Sequence, residues 1–440
     1  MHVFSRTPLT GSVVERNLPP PVKDRSLGTL QGVCGNLPCE LSTAQLTGRN
    51  AFMLGGPRSG KSNAIKLILS KLLPSLSPDD FAVVFDPRGD YRDEFYSPKR
   101  GDLVISTLPR HRHITQGWNI FSEIRSSDPY NREMFTKDIV CRLVREDDPK
   151  QKFFVDGARN IFCGVIDNAM RLSGNTPDNR QFRDTLCSPV FFGKKRHEWL
   201  DFKNNPKYAY LEDYFSNPNW NAGSDFRAFA KNAAENHFIS NAFGGTGHFS
   251  ICDFVRKRGG RVLYIEYDTS ASEALGTLVG LLIDLAMNTM MANDRAKGHG
   301  YFVLDELPLI ECSEIEKACN FMGGQRGSII AAAQSHSGMY ECFGEYKADS
   351  IIASFASLLF FQCRDAVSRD YIKNLCGKAE VRALSSAGYT VSTRNETQYI
   401  VDDEALNRLR IGEAIVRMPD GNAHTPPFIV RLDAYKHKRG

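Results

Sequence analysis

The stretch MLGGPRSGKSNAIKLIL, residues 53–69, contains residue types whose spacing suits the binding of phosphate groups. Gly55, four further residues, then Gly60, Lys61 and Ser62 match every fixed position of the P-loop pattern. In such a loop the backbone N–H groups of the glycine turn and of the following helix point at phosphates. Lys61 would neutralise the outer phosphate oxygens, and Ser62 would ligate Mg²⁺. The predicted nucleotide-binding residues are Gly55, Gly56, Pro57, Arg58, Ser59, Gly60, Lys61, Ser62 and Asn63.

A second acidic site is needed to hold the magnesium ion and to act on the attacking water, and the segment GYFVLDELPLI supplies one. Four apolar residues lead into Asp305 and Glu306, which indicates a buried strand ending in two carboxylates. Asp305 is predicted in the outer shell of the metal and Glu306 as the general base toward water. This division of roles is typical of a hydrolase, so the sequence predicts an ATPase with ATP and Mg²⁺ as cofactors.

Gln334 ends the next apolar run, SIIAAAQS, where a polar amide at the carboxyl end of a strand could sense the γ-phosphate. A simple capping role for Gln334 is the alternative. Asp86 ends another apolar run, FAVVFD, and is expected on the strand beside the P-loop strand. Pro87 and Gly89 then predict a turn that leaves Arg88 near the nucleotide, although the turn could equally be structural.

The elements around these residues alternate between strands and helices. Strand patterns occur before residue 110 and after residue 260, whereas the region between them shows helical periodicity and no convincing strand. This organisation predicts an α/β fold with one mainly parallel central sheet and an inserted all-α domain. The predicted boundaries are residues 1–122 for the first part of the nucleotide-binding domain, 123–245 for the inserted domain and 246–440 for the second part. Residues 6–21 are predicted to be an extended lead-in with little packing of its own.

Seven motifs in the same order resemble those of the conjugative coupling proteins of type IV secretion systems, the TraD-type ATPases. They are GGPRSGKS, FDPRGDY, GWNIF, FFVDGARNIF, FVLDELP, AAAQSHSGMYECFG and IGEAIVRM, and they extend over nearly the whole chain. The resemblance implies a RecA-like P-loop NTPase that assembles as a homo-hexamer on DNA, with a relaxase and type IV secretion components as partners. Members of the family have an amino-terminal membrane anchor. This sequence is predicted to contain none, so membrane contact is expected only through an anchor that it lacks or through a partner.

The function implied is an ATP-driven motor that couples a relaxase–DNA substrate to a conjugation channel. Two alternatives remain: a double-stranded DNA pump for chromosome partition or packaging, and a nucleotide-switched receptor for secreted proteins. Motors of this class receive an arginine from a neighbouring subunit, and Arg364 and Arg369 are the candidates here. DNA contact is expected to be independent of base sequence. Two basic clusters, at residues 194–196 and 256–261, could face phosphates or simply form solvated surface.

Composition restricts the other possibilities. The chain has 440 residues, 42% hydrophobic and 24% charged, which is ordinary for a globular protein. Its net charge of +4 permits a nucleic-acid partner without requiring one. The longest apolar run, which begins at Ala274, is interrupted by Asp284 and Asn288 and therefore predicts a buried helix rather than a membrane span. We expect a cytoplasmic protein, at the cytoplasmic face of the inner membrane where an anchor or partner is present.

Overall fold

A computed structural model describes residues 2–8, 14, 17–146, 148–172, 176–188, 197–216, 221–268, 273–292, 297–387, 390–421 and 423–437. The strands are β1 (His2–Pro8), β2 (Thr29–Cys34), β3 (Leu37–Ser42), β4 (Ala51–Leu54), β5 (Phe81–Phe85), β6 (Leu103–Ser106), β7 (Arg261–Glu266), β8 (Gly300–Leu304), β9 (Gly327–Ala333), β10 (Ser357–Phe360), β11 (Lys378–Ala387), β12 (Thr390–Tyr399), β13 (Glu413–Arg417), β14 (Pro419–Asp420), β15 (Ala423–His424) and β16 (Phe428–Leu432).

The helices include all of those predicted around the P-loop and in the region between the two groups of strands. They are α1 (Thr43–Thr47), α2 (Lys61–Leu72), α3 (Asp90–Phe95), α4 (Ile120–Ser126), α5 (Arg132–Leu143), α6 (Lys152–Leu172), α7 (Asn179–Cys187), α8 (Glu212–Ser216), α9 (Asn221–His237), α10 (Ile251–Lys257), α11 (Glu273–Ala292), α12 (Ile315–Phe321), α13 (His336–Phe343), α14 (Glu345–Ala353), α15 (Ala366–Cys376) and α16 (Asp403–Arg408).

Eleven of the strands form one sheet in the order β3-β2-β16-β13-β10-β4-β9-β8-β5-β7-β6. The seven strands from β10 to β6 in this order run parallel to one another. Alternate residues of β5 enter two separate apolar cores: Phe81, Val83 and Phe85 lie in one, Ala82 and Val84 in the other. Helix α2 packs in the second core and α11 in the first, so both faces of the sheet are covered. The predicted fold class is confirmed.

One expectation about the sheet is wrong. The strand that ends at Asp86, β5, does not adjoin the P-loop strand β4, because β9 and β8 lie between them. At one end, four further strands, β13, β16, β2 and β3, pair antiparallel with their neighbours, so the sheet is mainly parallel, as predicted. These strands are short and locally ambiguous, and their pairing joins segments almost 400 residues apart.

The amino-terminal residues are also placed differently from the expectation. Strand β1 pairs antiparallel with β11, and β11 pairs with β12, so that a separate three-stranded sheet forms. Arg6 and Thr7, which were predicted within an extended lead-in of little packing, lie opposite Ala383 and Arg382 of β11. The lead-in prediction is therefore wrong for residues 6–8, because their backbone groups are paired with a distant strand.

The segment between β6 and β7 contains helices and no strand among its described residues, with α4 to α10 following one another along the chain. The domain boundaries at residues 122 and 245 stay a prediction. Helix α11 contains the one stretch, Leu275–Ala292, that is long and apolar enough to cross a membrane among the residues described. Since 78% of that stretch is buried inside the fold, α11 has the burial of a core helix.

Candidate nucleotide site

The P-loop joins strand β4 to helix α2 at the carboxyl edge of the parallel sheet. Residues Arg58, Ser59, Gly60, Lys61, Ser62 and Asn63 line a cavity of about 230 Å³. The first N–H groups of a helix have no partner within the helix, so the start of α2 can donate to an anion in this cavity. The Ser59 hydroxyl is buried and has no hydrogen-bond partner. An unsatisfied buried hydroxyl beside free N–H groups fits a phosphate ligand.

The backbone N–H groups of Gly55 and Gly56 are bonded within the protein, and the assignment of these two residues to nucleotide binding stays a prediction. The Gly55 N–H donates to the Ala333 carbonyl, with N···O 3.2 Å, and the Gly56 N–H donates to the Gln362 carbonyl at 2.9 Å. Both donors therefore tie the loop to the ends of the neighbouring strands β9 and β10 and do not point at phosphates. A Cβ on Gly55 would lie 2.5 Å from the Cβ of Phe361, so the loop can lie this close to β10 only with glycine there.

Lys61 begins helix α2 and is 6% exposed. Its ammonium group donates to the carbonyl oxygens of Gly55 and of Gly56, the latter at 3.2 Å. Burial lowers the pKa of Lys61, while the negative charges of Glu306 and Asp305 oppose that shift. The structure therefore brings the predicted lysine and the two predicted carboxylates into one electrostatic site.

Asp305 and Glu306 follow β8, three strands along the sheet order from β10 and two from β4. The Asp305 carboxylate accepts a hydrogen bond from the Tyr91 hydroxyl, with O···O 2.8 Å. The Ser62 hydroxyl also interacts with the Tyr91 hydroxyl. The two predicted magnesium residues, Ser62 and Asp305, thus both lie beside the Tyr91 hydroxyl. A hydroxyl and a carboxylate are oxygen ligands of the kind that a hydrated Mg²⁺ ion takes.

Glu306 adopts φ +62°, a left-handed conformation that is uncommon for a residue other than glycine. Its Oε1 accepts from the backbone N–H of Gln334 at 3.2 Å, and the Gln334 side chain also donates to this carboxylate. Burial raises the pKa of Glu306, and burial likewise raises the pKa of Asp305. A carboxylate with a raised pKa beside a polar amide can accept a proton from water. The structure thus places Gln334 and Glu306 together, as their positions at strand ends predicted.

The segment that follows β5 also lies at the carboxyl edge of the sheet, close to Asp305. Asp86 is buried and accepts from the backbone N–H groups of Asp90, Tyr91 and Arg92 at 3.1, 2.8 and 2.8 Å, so it caps helix α3 and fixes the position of Tyr91. Arg88 is exposed, and its charge influences both Lys61 and Asp305. Tyr91 is the functional residue that sequence reasoning missed. It lies in the recognised motif FDPRGDY, but no local signal shows that its hydroxyl reaches Asp305.

The two candidate arginines differ in their surroundings. Arg364 is exposed, two residues after Gln362, whose carbonyl binds the P-loop of the same chain. Arg369 forms an ion pair with Asp403, at N···O 3.3 Å, and donates to the Arg364 carbonyl at 2.5 Å. Arg369 is therefore held within its own chain, whereas Arg364 presents its side chain at the surface.

The structure describes only one of the two predicted basic clusters. Residues 194–196 lie outside the described residues. In the second cluster, Arg256 donates to the Ser126 carbonyl at 2.7 Å, and Arg258 is buried with its guanidinium 5.3 Å from the centre of the Phe81 ring. Arg261 donates to the Arg258 carbonyl at 2.8 Å. These three arginines hold the junction of α10 with the sheet, so a structural role accounts for most of this cluster.

The comparisons with known proteins agree with this geometry. The family model described as the type IV secretion-system coupling protein DNA-binding domain matches residues 34–429. The bacterial conjugative coupling protein TrwBdeltaN70, in an unbound form, has a TM-score of 0.72 at 17% identity over 99% of this chain and 94% of its own. The plasmid coupling protein TrwB in complex with ADP and Mg²⁺ has a TM-score of 0.69 at 18% identity, over 100% and 96%.

A more distant likeness is to VirB4 of Thermoanaerobacter pseudethanolicus, with a TM-score of 0.57 at 12% identity, covering 94% of this chain and 97% of that one. No curated protein sequence matches this chain significantly. At these identities the solved structures establish the fold, and the family model, which spans most of the chain, establishes the family.

Proposed function

The chain belongs to the type IV secretion-system coupling protein family, and on that premise we propose that it hydrolyses ATP to drive DNA, with its bound relaxase, into a type IV secretion channel. The observation that supports ATP hydrolysis most directly is the convergence of Lys61, Asp305 and Glu306 at one sheet edge. Bound Mg²⁺ would supply charge stabilisation of the phosphate oxygens. Ser62 would bind it directly and Asp305 through water. Glu306 would take the proton of the attacking water, and Gln334 would orient that carboxylate.

Two substitutions separate nucleotide binding from hydrolysis. Lys61→Ala should abolish most ADP binding, because the lysine that lines the phosphate cavity is the one that would neutralise the phosphate oxygens. Glu306→Gln should keep ADP binding and lower the hydrolysis rate by at least about 100-fold, because only the base toward water is lost. Lys71→Ala, an exposed lysine in the last turn of α2, is the matched control and should behave like the wild type. Hydrolysis by Glu306→Gln at the wild-type rate would remove Glu306 from this role.

The proposed assembly is a ring of six chains around DNA. The open side of each site needs a positive charge, and among the two candidates Arg364 is the one whose side chain is exposed. In a head-to-tail ring, the exposed arginine of one subunit can reach the site of the next. Arg364→Ala subunits should be inactive alone and regain activity when mixed with Glu306→Gln subunits, because each mixed interface can combine an intact arginine with an intact base. Arg369→Ala provides the comparison.

The outcome of mixing also distinguishes an Arg364 that acts in the site of the next subunit from one that acts within its own chain. Absence of rescue, together with a specific rate that does not change with protein concentration or DNA, would show that each site works within a single chain.

DNA should raise both the degree of assembly and the hydrolysis rate by holding subunits together. DNA affinity should fall at least about tenfold between low and physiological salt, because it depends on phosphate contacts. We propose that the protein acts at the cytoplasmic face of the membrane, next to the secretion components.

A further inference from the structure

The C-terminal segment (residues 433–437) leaves strand β16 and lies across the first turn of helix α2. The side-chain amide of Asn63 contacts it at two points. Its Nδ2 donates to the Asp433 carbonyl, with N···O 2.9 Å, and its Oδ1 accepts from the backbone N–H of Tyr435 at 2.7 Å. Asn63 also lines the phosphate cavity. One residue therefore belongs both to the phosphate cradle and to the contact with the C-terminal segment.

A second set of contacts fixes the same segment to helix α3. The Tyr435 hydroxyl donates to Oε1 of Glu94 at 2.7 Å, and the His437 ring contacts that carboxylate at 2.6 Å. The ring of Tyr435 also packs against Phe95, with a centroid separation of 5.6 Å. Tyr435 is half-buried by these contacts, so its backbone and ring have a defined position beside α2.

The strands that lead to this segment contact the P-loop itself. The Gly412 N–H donates to the Ser59 carbonyl at 2.9 Å, and the Leu432 N–H donates to the Gly412 carbonyl at 3.1 Å. A Cβ on Gly60 would lie only 2.8 Å from the Cα of Gly412. The carboxyl-terminal part of the chain is thus in direct contact with the loop that would hold the phosphates.

The direction of a bound nucleotide follows from the cradle. The β and γ phosphates would lie toward Lys61 and the carboxylates, so the α-phosphate would lie further along the first turn of α2, toward Asn63, and the sugar and base would continue beyond it. We propose that the C-terminal segment forms the wall of the site against which the ribose and base of the nucleotide lie. Its contributions would be the exposed Asp433 carboxylate, an acceptor suited to ribose hydroxyls, and the backbone fixed by Asn63 and Tyr435.

This inference rests on the proposed function, because it assumes that the P-loop binds a nucleotide. Its test compares ADP with inorganic pyrophosphate, in the presence of Mg²⁺, by isothermal titration calorimetry on the full chain. Pyrophosphate can occupy the cradle but has no ribose or base. Tyr435→Ala should weaken ADP binding about tenfold, the loss expected for misplacing one or two polar contacts, and should leave pyrophosphate binding unchanged.

Further variants keep the result interpretable. Asn63→Ala, which releases the segment at Asp433 and at Tyr435, should also weaken ADP binding, but its pyrophosphate affinity is no control because Asn63 lines the phosphate cavity. Tyr435→Phe, which removes only the contact with Glu94, should have a smaller effect than Tyr435→Ala. Tyr346→Ala, at a side chain that is 92% exposed and on α14, is the control and should change neither affinity. ADP affinity unchanged in Tyr435→Ala, or ADP and pyrophosphate weakened equally in Tyr435→Ala, would overturn the inference. A wild-type chain that binds neither ligand would instead overturn the proposed function, and this inference with it.

Discussion

Glu123 is fully buried at the junction between the helices that follow β6 and the sheet, and its removal should destabilise the protein strongly. Its carboxylate accepts four hydrogen bonds. Oε2 accepts from the Trp118 indole N–H and the Ile251 N–H, both at 2.8 Å, and Oε1 accepts from the Ser250 hydroxyl at 2.8 Å and the Cys252 N–H at 2.9 Å. The carboxylate thus caps helix α10 and fixes a buried tryptophan at the same time.

The magnitude follows from the four donors that Glu123→Ala would leave without an acceptor. Each unsatisfied buried donor costs about 1 to 3 kcal/mol, so we expect a loss of at least about 4 kcal/mol. With a slope of about 3 kcal/mol per molar urea, this lowers the unfolding midpoint by about 1.3 M. Glu123→Gln should have an intermediate effect, because one oxygen is kept and an amide group is placed against two donors.

Urea unfolding followed by tryptophan fluorescence and by far-UV circular dichroism measures this shift. Trp118 reports directly, because its indole N–H is one of the four donors. Glu341→Ala, at an exposed carboxylate on α13, is the control and should leave the midpoint unchanged. A midpoint for Glu123→Ala within about 0.3 M of the wild type would refute the assignment of Glu123 as the acceptor that holds this junction.

Three further predictions concern the nucleotide edge. Gly60→Ala should abolish ADP binding measured by calorimetry, because Gly60 has φ +122° and a Cβ there would collide with Gly412, whereas Gly323→Ala, where a Cβ meets nothing within 4 Å, should not. Tyr91→Phe should raise the Mg²⁺ concentration needed for half-maximal ADP binding by at least about tenfold, because Asp305 loses its orienting hydrogen bond; an unchanged Mg²⁺ requirement would contradict this. Burial raises the pKa of Asp86 from 3.8 to about 7, against the opposing hydrogen bonds from Arg92 and Tyr91, so the folded state favours the protonated acid. The wild-type melting temperature should therefore fall as the pH rises from about 4 to 7, and Asp86→Asn should flatten that slope.

The parts of the site that are local in sequence could be predicted from it. The P-loop spacing, the apolar run before Asp305 and Glu306, and the one before Gln334 each contain both the strand and its polar end, and parallel strands bring such ends to one edge. The hairpin of β2 and β3 is local in the same sense, because its pairing partners are adjacent in the chain.

The parts that depend on distant pairing could not be predicted. The pairing of β1 with β11 and of β16 with β2 joins segments with no local signal of each other, and short strands fit several registers equally well. The contact of Tyr91 with Asp305 depends on the angle at which α3 leaves its turn, which the motif does not encode. The ion pair of Arg369 with Asp403 similarly depends on how α15 and α16 pack.

The nucleotide edge of the sheet and the helical region are joined by one set of charges centred on the buried Asp284. Glu306 directly precedes the loop of residues 307–314. The end of that loop is fixed to Asp284 of α11, because the Asp284 carboxylate accepts from the backbone N–H groups of Ser313 and Glu314, each at 3.0 Å. The same carboxylate pairs with Arg142 of α5, which also lies 3.6 Å from the Glu314 carboxylate. Asp284 is 1% exposed, and separating a buried charge from its partners costs several kcal/mol. A displacement of the end of this loop must therefore move Arg142 with it or break the contacts of Arg142 with Asp284 and Glu314. The position of helix α5 thus depends physically on the loop that follows Glu306.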